Sequence, residues 1–104
     1  MRFSAATFAA AALLASVVGA AGQTTREKLV SLVREDCGSC HGLTLKGGLG
    51  SSLLPGALAN KDAGTLTAII LDGVPGTPMP PWRGLISLED ARWIAENLKE
   101  GFPK

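Results

Sequence analysis

Cys37-Gly38-Ser39-Cys40-His41 is the stretch from which the rest of this 104-residue chain is read. Two thiols and an imidazole within five residues form the attachment signature of a c-type haem. Each sulfur can add across one vinyl group of the porphyrin to form a thioether. With both sulfurs fixed on one edge of the ring, the next side chain projects over its face and reaches the iron through an imidazole nitrogen. Other readings of the pattern lack partners. A thioredoxin-like dithiol needs a strand–helix context that the flanking sequence does not offer. A structural zinc site takes four ligands, and the chain holds two cysteines and one histidine. A disulfide between residues so close in sequence would staple nothing. Cys37 and Cys40 are therefore expected to hold the haem, and His41 to ligate its iron from one side.

The ends and the totals agree with an exported haem protein. Arg2 precedes an uncharged, alanine-rich run from Ala5 to Val18, and the small residues Gly19 to Gly22 offer a cleavage site after Ala20 or Gly22. Residues 1–22 thus read as a signal peptide and residues 23–104 as one domain. The strongly apolar part is shorter than the ~20 residues a spanning helix needs, so the membrane enters only if the signal stays uncleaved. Covalent haem attachment takes place outside the bacterial cytoplasm, which gives the periplasm as the compartment. Beyond residue 22, nine Lys and Arg balance nine Asp and Glu. Nothing resembles the clustered basic surface that nucleic acid calls for. A chain this short is marginal as an independent core, and small scaffolds need a staple. One covalent porphyrin would be a large one. The expectation is a monomer packed around its cofactor and poorly folded without it.

Along the domain, Thr24 and Glu27 form a Thr-x-x-Glu capping box ahead of Leu29, Leu32 and Val33, predicting a helix to about Asp36. From Gly42 to Asn60 five glycines and a single charge, Lys46, predict a wrapping loop with a short helical turn after Pro55. Asp62 can cap a second helix through Leu66, Ile69 and Ile70, stopped at Gly73. Four prolines between Val74 and Trp82 forbid helix and central strand. Ser87, with Asp90 three residues on, opens a last helix. Its apolar stripe is Leu88, Ala91, Ile94, Ala95 and Leu98, and Gly101 ends it.

Met79 is the only methionine besides Met1, and it lies 38 residues after His41. Methionine usually fills gaps through its flexibility. Flanked on both sides by proline, its thioether is instead held on a stiff backbone and presented in one direction, which suits a second axial ligand. A soft thioether opposite a histidine favours ferrous iron and raises the reduction potential. The alternatives are a packed loop methionine beside an open iron, or ligation by Lys46 or Lys61.

Helix, motif, methionine loop and last helix together resemble the class I cytochrome c family. The resemblance implies an all-α fold of three main helices with loops wrapped around one covalent haem. It implies that the first and last helices pack, with Leu29 and Val33 meeting Trp93 and Ile94. A narrower likeness is carried by residues 37–50, by Pro75-Gly-Thr-Pro-Met-Pro-Pro-Trp82 and by Ala91-Arg-Trp-Ile94. These look like the cytochrome c-55X proteins, small periplasmic cytochromes encoded beside cytochrome cd1 nitrite reductase. Class I relatives usually place a proline after the Gly-x-Gly stretch, and its carbonyl accepts the second imidazole proton of the haem-ligating histidine. Here Ser51-Ser52 stands at that place, and Ser51 becomes the expected carbonyl behind His41. Trp82 and Arg83 are candidate contacts to a haem propionate, with packing and a solvated charge as the plain alternatives.

The resulting expectation is a single-electron carrier of denitrification, not an enzyme. Its partners would be cytochrome cd1 nitrite reductase, as electron acceptor, or proteins of d1 haem maturation. A gas-binding or peroxidatic haem protein with an open sixth site is the remaining alternative. The segments expected to frame the haem edge, 42–60 and 73–86, carry only Lys46 and Arg83. Such a rim predicts docking by apolar contact rather than by long-range charge.

Overall fold

The computed structural model describes residues 24–102 together with Arg2; apart from Arg2, the expected signal peptide and its cleavage point lie outside the described residues. The first helix, α1 (Arg26–Leu32), is capped by Thr25, whose hydroxyl accepts from the Lys28 N–H at 3.3 Å. The start falls one residue later than the Thr24–Glu27 box predicts. With Thr25 at the cap the third helical position is Lys28, which has no acceptor to return, so the cap is one-sided.

The helix does not end at Asp36. It widens into a π-helical turn over Val33–Cys37 and runs on as α2 (Gly38–His41), with the Gly38 N–H reaching back to the Val33 carbonyl. The haem motif therefore forms the last turns of a continuous helical rod rather than a loop after it. Glycine is a weak helix former and a π turn has no sequence signature of its own, so propensity misses the continuation. The extra residue in the widened turn changes the face on which later side chains emerge. Leu29 and Val33 are fully buried in the core, while Cys37, Cys40 and His41 all turn to a separate cavity.

Beyond the motif come α3 (Pro55–Leu58), a single turn opened by proline at its first position, and α4 (Ala63–Asp72). The Asp62 carboxylate caps α4 by accepting from the Thr65 N–H at 2.6 Å. The last helix, α5 (Leu88–Glu100), begins with the full reciprocal box, Ser87 hydroxyl to Asp90 N–H and Asp90 carboxylate to Ser87 N–H. No β-strand occurs among the described residues.

α5 is the spine. α4 packs along it and α3 against its far end. Ala91, Ile94, Ala95 and Leu98 are buried along one stripe, joined by Leu29 and Val33 from the first helix in a single core cluster. Trp93 lies beside that cluster, edge-on to Phe102 with ring centroids 5.6 Å apart. The Arg26 guanidinium sits 4.6 Å from its centroid, tying the start of α1 to α5. Leu88 departs from the expected stripe and is more than half exposed. A helical side chain covers the turn before its own Cα, and at the first position no such turn exists.

The 42–54 loop has one strained point. Leu45 is buried with φ +61°, a left-handed conformation that non-glycine residues rarely adopt. Its carbonyl accepts from Leu53 N–H at 2.9 Å, so burial and a cross-loop hydrogen bond hold the conformation in place.

Candidate haem-binding site

His41 ends the helical rod, where backbone carbonyls have no helical donor left. The glycine loop supplies the donors: Gly47 N–H to the His41 carbonyl at 2.8 Å and Gly50 N–H to that of Cys40 at 2.7 Å. The loop is thereby folded back over the imidazole. His41 Nδ1 lies 2.7 Å from the Ser51 carbonyl, which can only accept, so Nδ1 carries the proton and Nε2 is left with its lone pair. Gly50 passes so close that a Cβ there would lie 2.7 Å from both Cε1 and Nδ1 of the ring. The absence of a side chain at position 50 is what lets the backbone press the imidazole into one orientation.

The methionine loop is closed at its neck. Val74 N–H donates to the Met79 carbonyl at 3.2 Å, and the Thr77 hydroxyl donates to Val74 while accepting from Met79 N–H. Gly73 has φ +66°, and a Cβ there would come within 2.6 Å of the Met79 carbonyl, so only glycine lets the two strands of the neck touch. Past the prolines, Trp82 and Arg83 N–H groups donate to the Ile70 and Leu71 carbonyls at the end of α4. A loop that cannot form internal ladders is thus anchored at both ends to one helix terminus.

Cys37, Cys40, His41 and Met79 all border one cavity of about 880 Å³. Its walls are mostly aliphatic, with Leu66, Ile70 and Val74 from the α4 side and Ile94 and Leu98 from α5. Burial, with the Asp36 carboxylate beside it, pushes the Cys37 thiol up to about 11. A nucleophilic redox dithiol needs the opposite shift. Among the described residues, no group of three His, Cys, Asp or Glu side chains converges as a metal site.

Trp82 borders the cavity and is half-buried. Arg83 does not border it: its Nε and Nη2 donate to Asp72 Oδ1 at 2.9 and 2.7 Å. The wall instead carries Asp36 and Lys61, so the expectation of a rim charged only by Lys46 and Arg83 is corrected. Asp36 reaches the wall because the helix continues past it, and Lys61 because the turn after α3 folds inward.

A family model described as cytochrome c oxidase, cbb3-type, subunit III, matches residues 24–98. Cytochrome c55X of Paracoccus denitrificans is 51% identical over 83 residues, spanning 80% of this chain and 81% of that protein. The chain belongs to the cytochrome c55X family. The solved structure of the c-type cytochrome NirC superposes with a TM-score of 0.70 at 53% identity, covering 71% of this chain and 87% of that one. The structure of dihydro-heme d1 dehydrogenase NirN in complex with DHE matches with a TM-score of 0.64 at 31% identity. That likeness covers 71% of this chain but only 16% of NirN.

A c-type cytochrome carries covalently bound haem and transfers electrons, and the residues present fit that group. The cavity lies within the size range of cofactor sites, is apolar, and has two thiols, one imidazole and one thioether on its border. Gly50 and Gly73 are the functional positions that motif reading passes over. Their only sequence signal is glycine beside a ligand candidate, the first next to the Ser51 carbonyl and the second ahead of the proline loop.

Proposed function

We propose that this protein is a periplasmic single-haem electron carrier of denitrification, with Cys37 and Cys40 as the thioether anchors and His41 and Met79 as the axial ligands. The observation that supports this most is the meeting of those four side chains on one apolar cavity. When bound, the haem supplies a reversible one-electron couple. The chain governs how that couple behaves. The Nδ1–H to Ser51 hydrogen bond fixes the imidazole and makes it a better donor. The knotted proline loop presents the Met79 sulfur with little freedom to swing away. Aliphatic walls keep water out and disfavour the extra charge of the ferric state, raising the potential. Trp82 remains the candidate propionate contact, whereas Arg83 would first have to leave Asp72. The class I arrangement, with loops closing around one haem, follows from the same reading.

The test is spectroscopic. The ferric protein should show the far-red sulfur-to-iron charge-transfer band. Met79→Ala should abolish that band and let the ferrous form bind carbon monoxide. Ready binding of carbon monoxide by the unaltered protein would instead mean an open sixth site and a gas-binding or peroxidatic role.

Within denitrification, one role is to donate electrons to cytochrome cd1 nitrite reductase. The likeness to part of a dihydro-heme d1 dehydrogenase favours a second role, accepting electrons during d1 haem maturation. A deletion strain separates them. Nitrite reductase lacking its d1 haem points to maturation; reductase with full cofactor but slow turnover points to donation.

A further inference from the structure

One wall of the cavity has little regular structure to hold it. The segment from Pro55 to Lys61 contains a single helical turn, and Ala57, Leu58 and Lys61 border the cavity. So short a helix leaves its last carbonyls without intrahelical donors. The Leu58 carbonyl accepts from the Lys61 N–H at 3.1 Å, and the Lys99 ammonium, from the last turn of α5, adds a charged donor: Nζ donates to the Leu58 carbonyl at 3.1 Å and to the Lys61 carbonyl. One half-buried ammonium therefore joins the end of α3 and the turn after it to the spine helix α5. Hydrogen bonds from a charged donor are about twice as strong as neutral ones.

We propose that Lys99 is a positioning residue that clasps the 55–61 wall against α5 and so limits the water that reaches the haem. The inference rests on the reading that haem fills this cavity. It does not depend on whether Met79 or an open site stands opposite His41. Without the clasp the wall moves outward, water enters, the ferric charge is better solvated, and the reduction potential falls.

Removal of a positive charge would by itself lower the potential, so the experiment needs a readout of wall position. In the holoprotein, Lys99→Met keeps the length of the stem and removes the donor. Amide hydrogen exchange at Ala57, Leu58 and Lys61 should become about tenfold faster, with α4 amides unchanged and the potential lower than in the parent. Lys99→Arg keeps charge, stem and donors, and should show intermediate protection. A lower potential with unchanged exchange at 57–61 would mean that Lys99 acts only as a charge, and would overturn the proposal. So would parental exchange rates in both variants. Failure of the Met79 reading would appear separately, as a missing charge-transfer band in the parent protein.

Discussion

A single methyl group added at position 50 would collide with the ring of His41, since the nearest imidazole atoms lie 2.7 Å from where it would stand. Overpacking of this kind costs about 1–3 kcal/mol, and here the displaced ring belongs to the expected iron ligand. Gly50→Ala should therefore lower the yield of haem-loaded protein severalfold, read as haem absorbance per unit protein, while Gly56→Ala, where a Cβ meets nothing within 4 Å, should leave it unchanged. The haem-attachment reading of the motif comes from the sequence alone, because thioether chemistry fixes both residue type and spacing. Gly50 was not legible, because a close approach between loop and ring is a property of two segments at once. Arg83 has a partner that sequence reading misses for a similar reason. From sequence it is a cation near a haem edge, but Asp72 at the end of α4 takes up its guanidinium, and only the packing of the loop on that helix brings the two together.

At the scale of elements, caps and stops carry the predictions. Ser87 and Asp90 exchange both hydrogen bonds of the box, and Asp90 is buried. Ser87→Ala should cost about 1 kcal/mol of stability, measured by denaturant titration of the holoprotein. Asp62 makes a pH-dependent contribution. Hydrogen bonds from Thr65, first from its backbone N–H, hold its carboxyl below the ordinary 3.8, so the folded state binds that proton less readily than the unfolded one. The stabilisation is complete above the ordinary value and is lost as the pH falls through the lower folded value. Asp62→Asn retains a capping oxygen but no titration, so its thermal stability should fall less steeply than the parent's below about pH 4. Helices α4 and α5 were legible because cap, apolar period and glycine stop all agree there. The first helix was only partly so. Its start lies one residue later than the Thr24 box predicts, and the π turn that carries it through the cysteines has no sequence signature of its own.

For the whole molecule, the cavity is the dominant fact. A space of about 880 Å³ bordered by aliphatic side chains lies within a very small domain, and on the proposed reading the porphyrin supplies the contacts that complete its core. The double variant Cys37→Ser/Cys40→Ser should therefore lack a cooperative thermal transition by circular dichroism, while the holoprotein retains one. Electron-transfer rates with a partner should vary little with ionic strength. Lys46 stands alone in its loop, Arg83 is paired with Asp72, the two charges bordering the cavity, Asp36 and Lys61, are of opposite sign, and Leu43 and Leu49 are 75% and 97% exposed near the haem motif. A steep fall in rate between low and moderate salt would mean steering by charge instead. The family, the cofactor chemistry, the helical class and the last two helices can be read along the chain. Each of these depends on residue type at fixed spacing along one segment. The continuation of the helix through the motif, the backbone pressed onto His41, the partner of Arg83 and the clasp at Lys99 are set by packing. The first is a widened turn with no sequence signature of its own. The other three join separate segments, from 10 and 11 residues apart at His41 and Arg83 to 38 and 41 at Lys99, so their geometry exists only once those segments have packed.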